Sequence, residues 1–288
     1  RALVHYRRGQ RQEALSDLQA ALTTTLREGF GGSHRAVVDY LVDEVLSRQP
    51  EDVQQFLLET ALLERLSGPL CDAVTGRCDS QVLLERLERA NLFLVPLDQE
   101  RQWYRYHHLF ASVLRGRMRH AAPGRIAGLH ERAAIWYEAH GFVHGALRHA
   151  VAGQHWAHAV QLLNDAARYF LMRGEFASFV GWLDRLPVEV VRAHSRLCRK
   201  RCWALIYLGR LDEVEEWLRA AECGPWEQTP RPISAETASL RASVARHRGE
   251  AQRAIALIAT ALPDLPDDDP VLHGVVHITL AVAHAMTG

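Results

Sequence analysis

The stretch Leu171-Met172-Arg173-Gly174-Glu175-Phe176-Ala177-Ser178-Phe179-Val180-Gly181-Trp182-Leu183 reads as the end of one helix, a glycine that lets the chain turn, and the start of the next. Counted from Gly174, the fifth residue is Phe179 and the ninth is Leu183. Residues four apart share a helix face, so this pair can pack back onto the preceding helix. Moving outward in both directions, the arrangement recurs at Gly9, Gly141, Gly209 and Gly249. The fifth residues there are Ala14, Ala146, Val214 and Ala254, and the ninth are Leu18, Ala150, Leu218 and Ile258.

From Gly141 onward the glycines lie 33, 35 and 40 residues apart. That period is the signature of tetratricopeptide-like helical hairpins, in which each unit buries its face only against its neighbours. The lengthening spacing marks the repeats as degenerate. Residues 1 to 30 read as a stray hairpin of the same kind, and residues 123 to 288 as the array. Two loops interrupt the array, Cys223 to Pro232 and Pro263 to Pro270.

Residues 33 to 122 follow a different pattern. Helical spacing recurs in Val37, Leu41 and Val45, and again in Val53, Leu57 and Ala61 after Pro50, a residue suited to a helix start. A further helix follows Asp79-Ser80 and carries Leu83, Leu84 and Leu87. Leu92 to Leu97, the turn-like Asp98-Gln99-Glu100-Arg101, and Gln102 to Tyr106 predict a β-hairpin, with Pro96 restricting its strand to an edge or bulge. A helix from about His107 to His120 completes an order that suits a winged helix. The fold class is therefore mostly α: a winged helix with a small β-hairpin, then a tetratricopeptide-like superhelical array.

Composition narrows the function classes. The 288 residues are 48% hydrophobic and 24% charged, with 34 basic against 34 acidic side chains, which excludes disordered and fibrous classes. A chain devoted to wrapping DNA or an anionic membrane carries a basic excess, so any such binding here requires a local patch. No run approaches 18 uninterrupted apolar residues, and Arg1 to Arg8 lack a signal-peptide core, so the expected location is cytoplasmic with no membrane partner. Five scattered cysteines predict reduced thiols.

Several blocks together carry a family resemblance: Gly32 to Leu46, Phe56-Leu57-Leu58-Glu59-Thr60, Leu66 to Gly76, Leu83-Leu84-Glu85-Arg86-Leu87, Ala90-Asn91-Leu92-Phe93-Leu94, and Trp103-Tyr104-Arg105-Tyr106-His107-His108-Leu109-Phe110. They resemble the large ATP-dependent LuxR-type transcription regulators of the MalT-like group, a branch of the signalling NTPases. The resemblance is dense over residues 32 to 120 and looser through the array. It implies a fragment of such a regulator, its winged helix acting as a nucleotide-state switch and its helical arm sensing a small-molecule inducer or a protein partner. The intact protein would bind ATP and ADP, self-associate, and reach promoter DNA through a C-terminal domain. Here the sequence departs from the family. With Lys200 the only lysine, no phosphate-binding Gly-x-x-x-x-Gly-Lys loop exists in this chain, which predicts no cofactor and no enzymatic activity for this segment, and a regulatory ATPase only in the intact protein. Nothing after residue 250 resembles the terminal DNA-binding domain.

The resemblance also implies one site. Related switches place a Met-His-Asp-like motif at the start of the helix after the wing, where the His contacts nucleotide phosphate. Tyr106-His107-His108-Leu109 matches it with His107 at the His position and His108 in place of Asp. The alternative is that both histidines cap or pack at a strand-to-helix junction.

Two other readings compete with the switch. One is a tetratricopeptide-like scaffold that binds partner proteins, for which the aromatics between Trp136 and Trp226 offer a lining, most of them expected in the core. The other is direct DNA binding: Arg101, Arg105, Arg115, Arg117, Arg119, Arg125 and Arg132 face only Glu131 in their stretch. The reading helix, residues 80 to 90, counters this with Glu85 and Glu88 beside Arg86 and Arg89. His273, His277 and His284 lie near one helix face but lack a local third ligand, so no metal site is predicted. Cys198 with Cys202, and Cys71 with Cys78, read as buried thiols.

Overall fold

The computed structural model describes residues 45–223, 230–265 and 269–287. The hairpin expected over residues 1 to 30, the helix around Val37 and Leu41, and Trp226 lie outside the described residues. The rest packs as two compact units, divided between Phe142 and Val143.

In the first unit, α1 (Glu51–Thr60) starts at Pro50, and Glu51 and Asp52 in its first turn meet the positive end of the helix dipole. Val53, Phe56 and Leu57 form its buried stripe. The helix α2 (Gly68–Thr75) is additional to the helices expected from the spacing; Pro69 occupies its first turn, where the missing N–H is harmless. The Ser67 hydroxyl accepts the Leu70 N–H at 3.4 Å, and Gly76, with φ +78°, closes the helix through its N–H to Asp72 O at 2.8 Å. Next comes α3 (Ser80–Arg89), burying Leu83, Leu84 and Leu87.

Gly68 of α2 stands directly against Gln81 of α3. A Cβ built there would stand 2.7 Å from Gln81 Cβ, inside van der Waals contact. Gly68→Ala is expected to destabilise the first unit by roughly 1–3 kcal/mol, read as a lowered midpoint in urea with an unchanged slope.

Strands β1 (Leu94–Pro96) and β2 (Tyr104–Tyr106) pair antiparallel with Leu94 opposite Tyr106 and Pro96 opposite Tyr104. On its other side β2 bridges Leu66, which exchanges two 2.8 Å backbone bonds with Tyr104. β1 is thus the edge strand, the place a proline tolerates. Asp98 ties the wing tip by accepting the N–H groups of Gln102 (2.8 Å) and Trp103 (3.1 Å). The helix α4 (His108–Ala121) packs on α1, with Phe110 and Leu114 fully buried. Thr60 donates to Phe56 O, so the 2.7 Å contact from Tyr106 is the phenol donating to Thr60, and burial drives the Tyr106 pKa far above its usual value. The helix α5 (Pro123–Ala139), read from sequence as the opening of the array, packs on α2 within this first unit. Arg132 Nε donates to Val74 O at 2.6 Å, and Leu129, Ala133 and Ala134 are buried.

The second unit holds α6 (Val143–Ala152), α7 (Trp156–Met172), α8 (Phe176–Leu183), α9 (Val188–Arg192), α10 (Ser195–Tyr207), α11 (Leu211–Cys223), α12 (Pro230–His247), α13 (Ala251–Ala261) and α14 (Pro270–Thr287). Gly174, Gly209 and Gly249 take φ of +70°, +73° and +81°. After each, the next N–H reaches five residues back at 2.9 Å: Glu175 to Phe170, Arg210 to Leu205, Glu250 to Ala245. This is the Schellman closure, which requires the left-handed residue glycine supplies. Phe179, Val214 and Ala254, with Leu183, Leu218 and Ile258 four residues on, are all buried. The spacing from Gly174 to Gly209 accommodates the short α9.

α10 lies at the centre, packed by α7, α8, α9, α11 and α12. α14 buries Leu272, Val276, Thr279 and Ala283 and leaves Val271 and Ile278 exposed. It is the one described helix long and apolar enough to cross a membrane, with mean hydropathy 1.3, and it packs on α12 and α13.

Candidate regulatory surface of the winged helix

In a winged helix, α3 and the wing form the surface that would meet nucleic acid. Here two of its cations are paired with its own carboxylates, while Arg86 on α3 stays exposed. Arg89 reaches Glu85 at 3.2 Å, Arg101 at the wing reaches Glu88 at 3.3 Å, and Gln81 donates to both Glu85 (3.2 Å) and the Arg101 carbonyl (3.1 Å). Arg77 binds Asp79 through two bonds at 2.8 and 2.9 Å and faces Asp52 at 3.6 Å. Val82 on α3 stands 70% exposed. The Arg-rich stretch after the wing is likewise turned to structure. Arg115 donates to Ala61 O at 3.2 Å, Arg125 pairs with Glu59, and Arg132 holds Val74 O. Arg105 on β2 and Arg117 and Arg119 on α4 remain exposed. Carboxylates set among the cations of α3 lower the local positive potential that a polyanion needs.

His107 sits between β2 and α4, at the N-cap position of that helix. Its backbone N–H donates to Phe93 O at 2.7 Å, which locks the junction to the strand side. Its side chain makes no cap bond, so the first-turn amides of α4 have no side-chain acceptor. Nδ1 is buried and meets no hydrogen-bond partner among the described residues. Burial first, then His108 and Arg105, hold its pKa below the usual histidine value. The His108 ring lies 4.4 Å away, centroid to centroid, and is itself exposed. A half-buried imidazole at a helix N-terminus without a side-chain cap has the chemistry to meet an anion.

The other sequence candidates separate. Among the described residues no three His, Cys, Asp or Glu side chains gather as metal ligands; the His273 and His277 rings are 6.4 Å apart. Cys198 and Cys202 are buried with raised pKa values, that of Cys198 pushed up to about 11 by desolvation, and Cys71 is buried likewise. Cys78, expected to be buried, is exposed, because it follows the Gly76 turn with no helix over it. Of the array aromatics, Tyr137, Phe170, Phe179, Trp182, Trp203 and Trp217 are buried, whereas Tyr169 and Tyr207 stay exposed. Sequence reading missed the buried network on α10. Arg199 bonds Glu236 at 2.5 Å and Ser195 Oγ at 2.6 Å, Ser195 donates to Ala221 O, and Trp203 donates to Glu236.

Residues 42–126, which span α1 to the start of α5, match the model of the MalT winged helix domain. These residues form a MalT winged helix domain, and the chain around them is similar to MalT-like regulators. It is 34% identical over 238 residues to the HTH-type transcriptional regulator MalT of Cronobacter sakazakii, covering 83% of this chain and 26% of that protein. It is also 29% identical over 280 residues to the serine/threonine-protein kinase PknK of Mycobacterium tuberculosis, covering 95% of this chain and 25% of the kinase. The same identity and length hold for PknK of Mycobacterium bovis. The chain thus spans about a quarter of the length of the MalT and PknK relatives it matches.

Proposed function

We propose that this chain is the switch-and-sensor portion of a cytoplasmic MalT-like transcription regulator, with the winged helix as an intramolecular regulatory module and the helical array as the arm that meets an inducer or partner. The observation that carries this reading is the mixed charge of the surface of α3 and the wing, where Glu85 and Glu88 pair with Arg89 and Arg101. A module that keeps its own cations occupied is suited to docking against protein. In this reading the segment itself performs no catalysis.

The family implies ATP and ADP for the intact protein. The half-buried imidazole of His107 and the uncapped turn of α4 fit one edge of a phosphate site, and the remainder would come from an NTPase domain. When bound, a nucleotide supplies negative charge at that edge. His107 would donate an N–H to it, and the first-turn amides of α4 would do the same. Such bonds would favour the state in which the winged helix rests on its neighbour. Loss of that state would free the regulator to self-associate and, through a C-terminal domain, to act at promoter DNA. A reporter assay of His107→Ala in an intact relative tests this: raised inducer-independent expression supports it, and unchanged repression contradicts it.

A second reading, a protein-interaction scaffold, draws on the fact that a kinase shares 95% of this chain's length. The segment then serves regulators with different outputs, and its arm would recognise protein partners.

A further inference from the structure

The connection from α3 to β1 holds two residues in the left-handed region, Asn91 with φ +52° and Phe93 with φ +54°. The first has a local reason. Asn91 ends α3: the Leu92 N–H reaches five residues back to Leu87 O at 3.0 Å, the closure that needs a left-handed residue, and asparagine tolerates that conformation. Phe93 has no helix to close. For so bulky a side chain the conformation is a true outlier, and such outliers persist only where the surroundings hold them.

What holds Phe93 is the junction between β2 and α4. Leu94 pairs with Tyr106, so the next rung of the ladder sets Phe93 opposite His107. A hydrogen-bonded rung of an antiparallel pair normally exchanges two bonds. Here the His107 N–H donates to Phe93 O at 2.7 Å, whereas His107 O accepts the Ala111 N–H at 3.0 Å, the bond that opens α4. A residue in strand conformation at 93 would aim its N–H at that same carbonyl and compete with the first helical bond. The left-handed turn keeps the accepting half of the rung and drops the donating half. The Phe93 ring, 5% exposed, seats on Phe110 in the first turn of α4, with 5.4 Å between centroids.

We propose that the left-handed backbone of Phe93 is what seats His107 at the N-terminus of α4, which makes Phe93 a positioning residue of the winged-helix switch. At an ordinary φ, Phe93 withdraws its carbonyl from the His107 N–H, and the imidazole loses its place beside the first-turn amides. The link to a nucleotide rests on the function proposed above, and the backbone coupling on the junction alone.

The test compares Phe93→Gly with Phe93→Ala in the full chain. Both lose the ring, and only glycine takes a positive φ freely. Amide hydrogen exchange, read residue by residue by nuclear magnetic resonance, should find the His107 N–H about ten-fold better protected in Phe93→Gly, the population equivalent of the left-handed cost for an L-residue. The Tyr104 N–H, bonded to Leu66 O at 2.8 Å from the same strand, should exchange alike in both variants, which separates the effect from a general loss of stability. The His107 imidazole, held below the usual histidine value by burial and by His108 and Arg105, should titrate nearer that value in Phe93→Ala and stay low in Phe93→Gly. Equal His107 exchange in the two variants, better protection in Phe93→Ala as at an ordinary strand position, or a parallel change at Tyr104 would overturn the proposal. If Phe93→Ala does not fold, Phe93→Gly against the wild type decides, and a His107 N–H that loses protection relative to Tyr104 contradicts it. Where the coupling is found but His107→Ala leaves repression unchanged in an intact relative, the placement stands and the nucleotide reading alone falls.

Discussion

Arg199→Met will destabilise the second unit by about 3–5 kcal/mol, the typical cost of removing one partner from a buried ion pair. Arg199 and Glu236 are 11% and 17% exposed at the side chain, so water screens neither appreciably. The guanidinium also holds Ser195, whose hydroxyl donates to Ala221 O at 2.7 Å, and Glu236 accepts the Trp203 indole N–H at 3.3 Å. One network therefore ties α10 to both α11 and α12, and the methionine leaves a carboxylate in the unit with no counterion. The paired replacement Arg199→Met with Glu236→Leu should recover most of the loss, since the isolated charge and not the missing bond dominates. A double-mutant cycle by chemical denaturation, following the second unit by its tryptophans, gives the comparison. If the single and double replacements lose the same stability, the network is mere packing.

The second large effect concerns His107. In an intact MalT-like relative, His107→Ala removes one hydrogen bond to an anionic acceptor, worth about 1.5–3 kcal/mol, from the resting state only. Converted at about 1.4 kcal/mol per decade, this predicts an increase of roughly ten- to hundred-fold in the ratio of active to resting protein without inducer. His108→Ala, at an exposed ring beside the site, should change that ratio far less. A reporter strain with both variants at matched protein levels separates them; equal and small effects would return His107 to the junction-packing role.

The array was legible in sequence because its turns are local. A left-handed glycine closed by a five-residue-back hydrogen bond leaves a residue type at a fixed position, and the buried residues five and nine further on follow from helix geometry. The wing was legible for a similar reason, since Pro96 and the Asp98 turn mark an edge hairpin. α2 was hidden because an eight-residue helix opening with Gly68-Pro69 offers too little periodicity, and its stability comes from Ser67, Gly76 and contact with α3. Only half of the charge neutralisation was readable. Glu85 and Arg89 are four apart on one helix, whereas Arg101 meets Glu88 only after the wing folds back. Arg125 with Glu59, 66 residues apart, and Arg199 with Glu236, 37 apart, carry no sequence signal at all. Such pairs are set by tertiary packing, which no local period encodes.

The central claim is that the winged helix is a regulatory module and not a reader of DNA. Fluorescence anisotropy of a generic labelled duplex, titrated with this chain at low and at physiological salt, tests it most directly. The account predicts no binding in the micromolar range at either salt, because Arg89 and Arg101 are held by Glu85 and Glu88. Micromolar binding that weakens steeply with salt would contradict it, and would assign the surface of α3 and the wing to phosphate contacts.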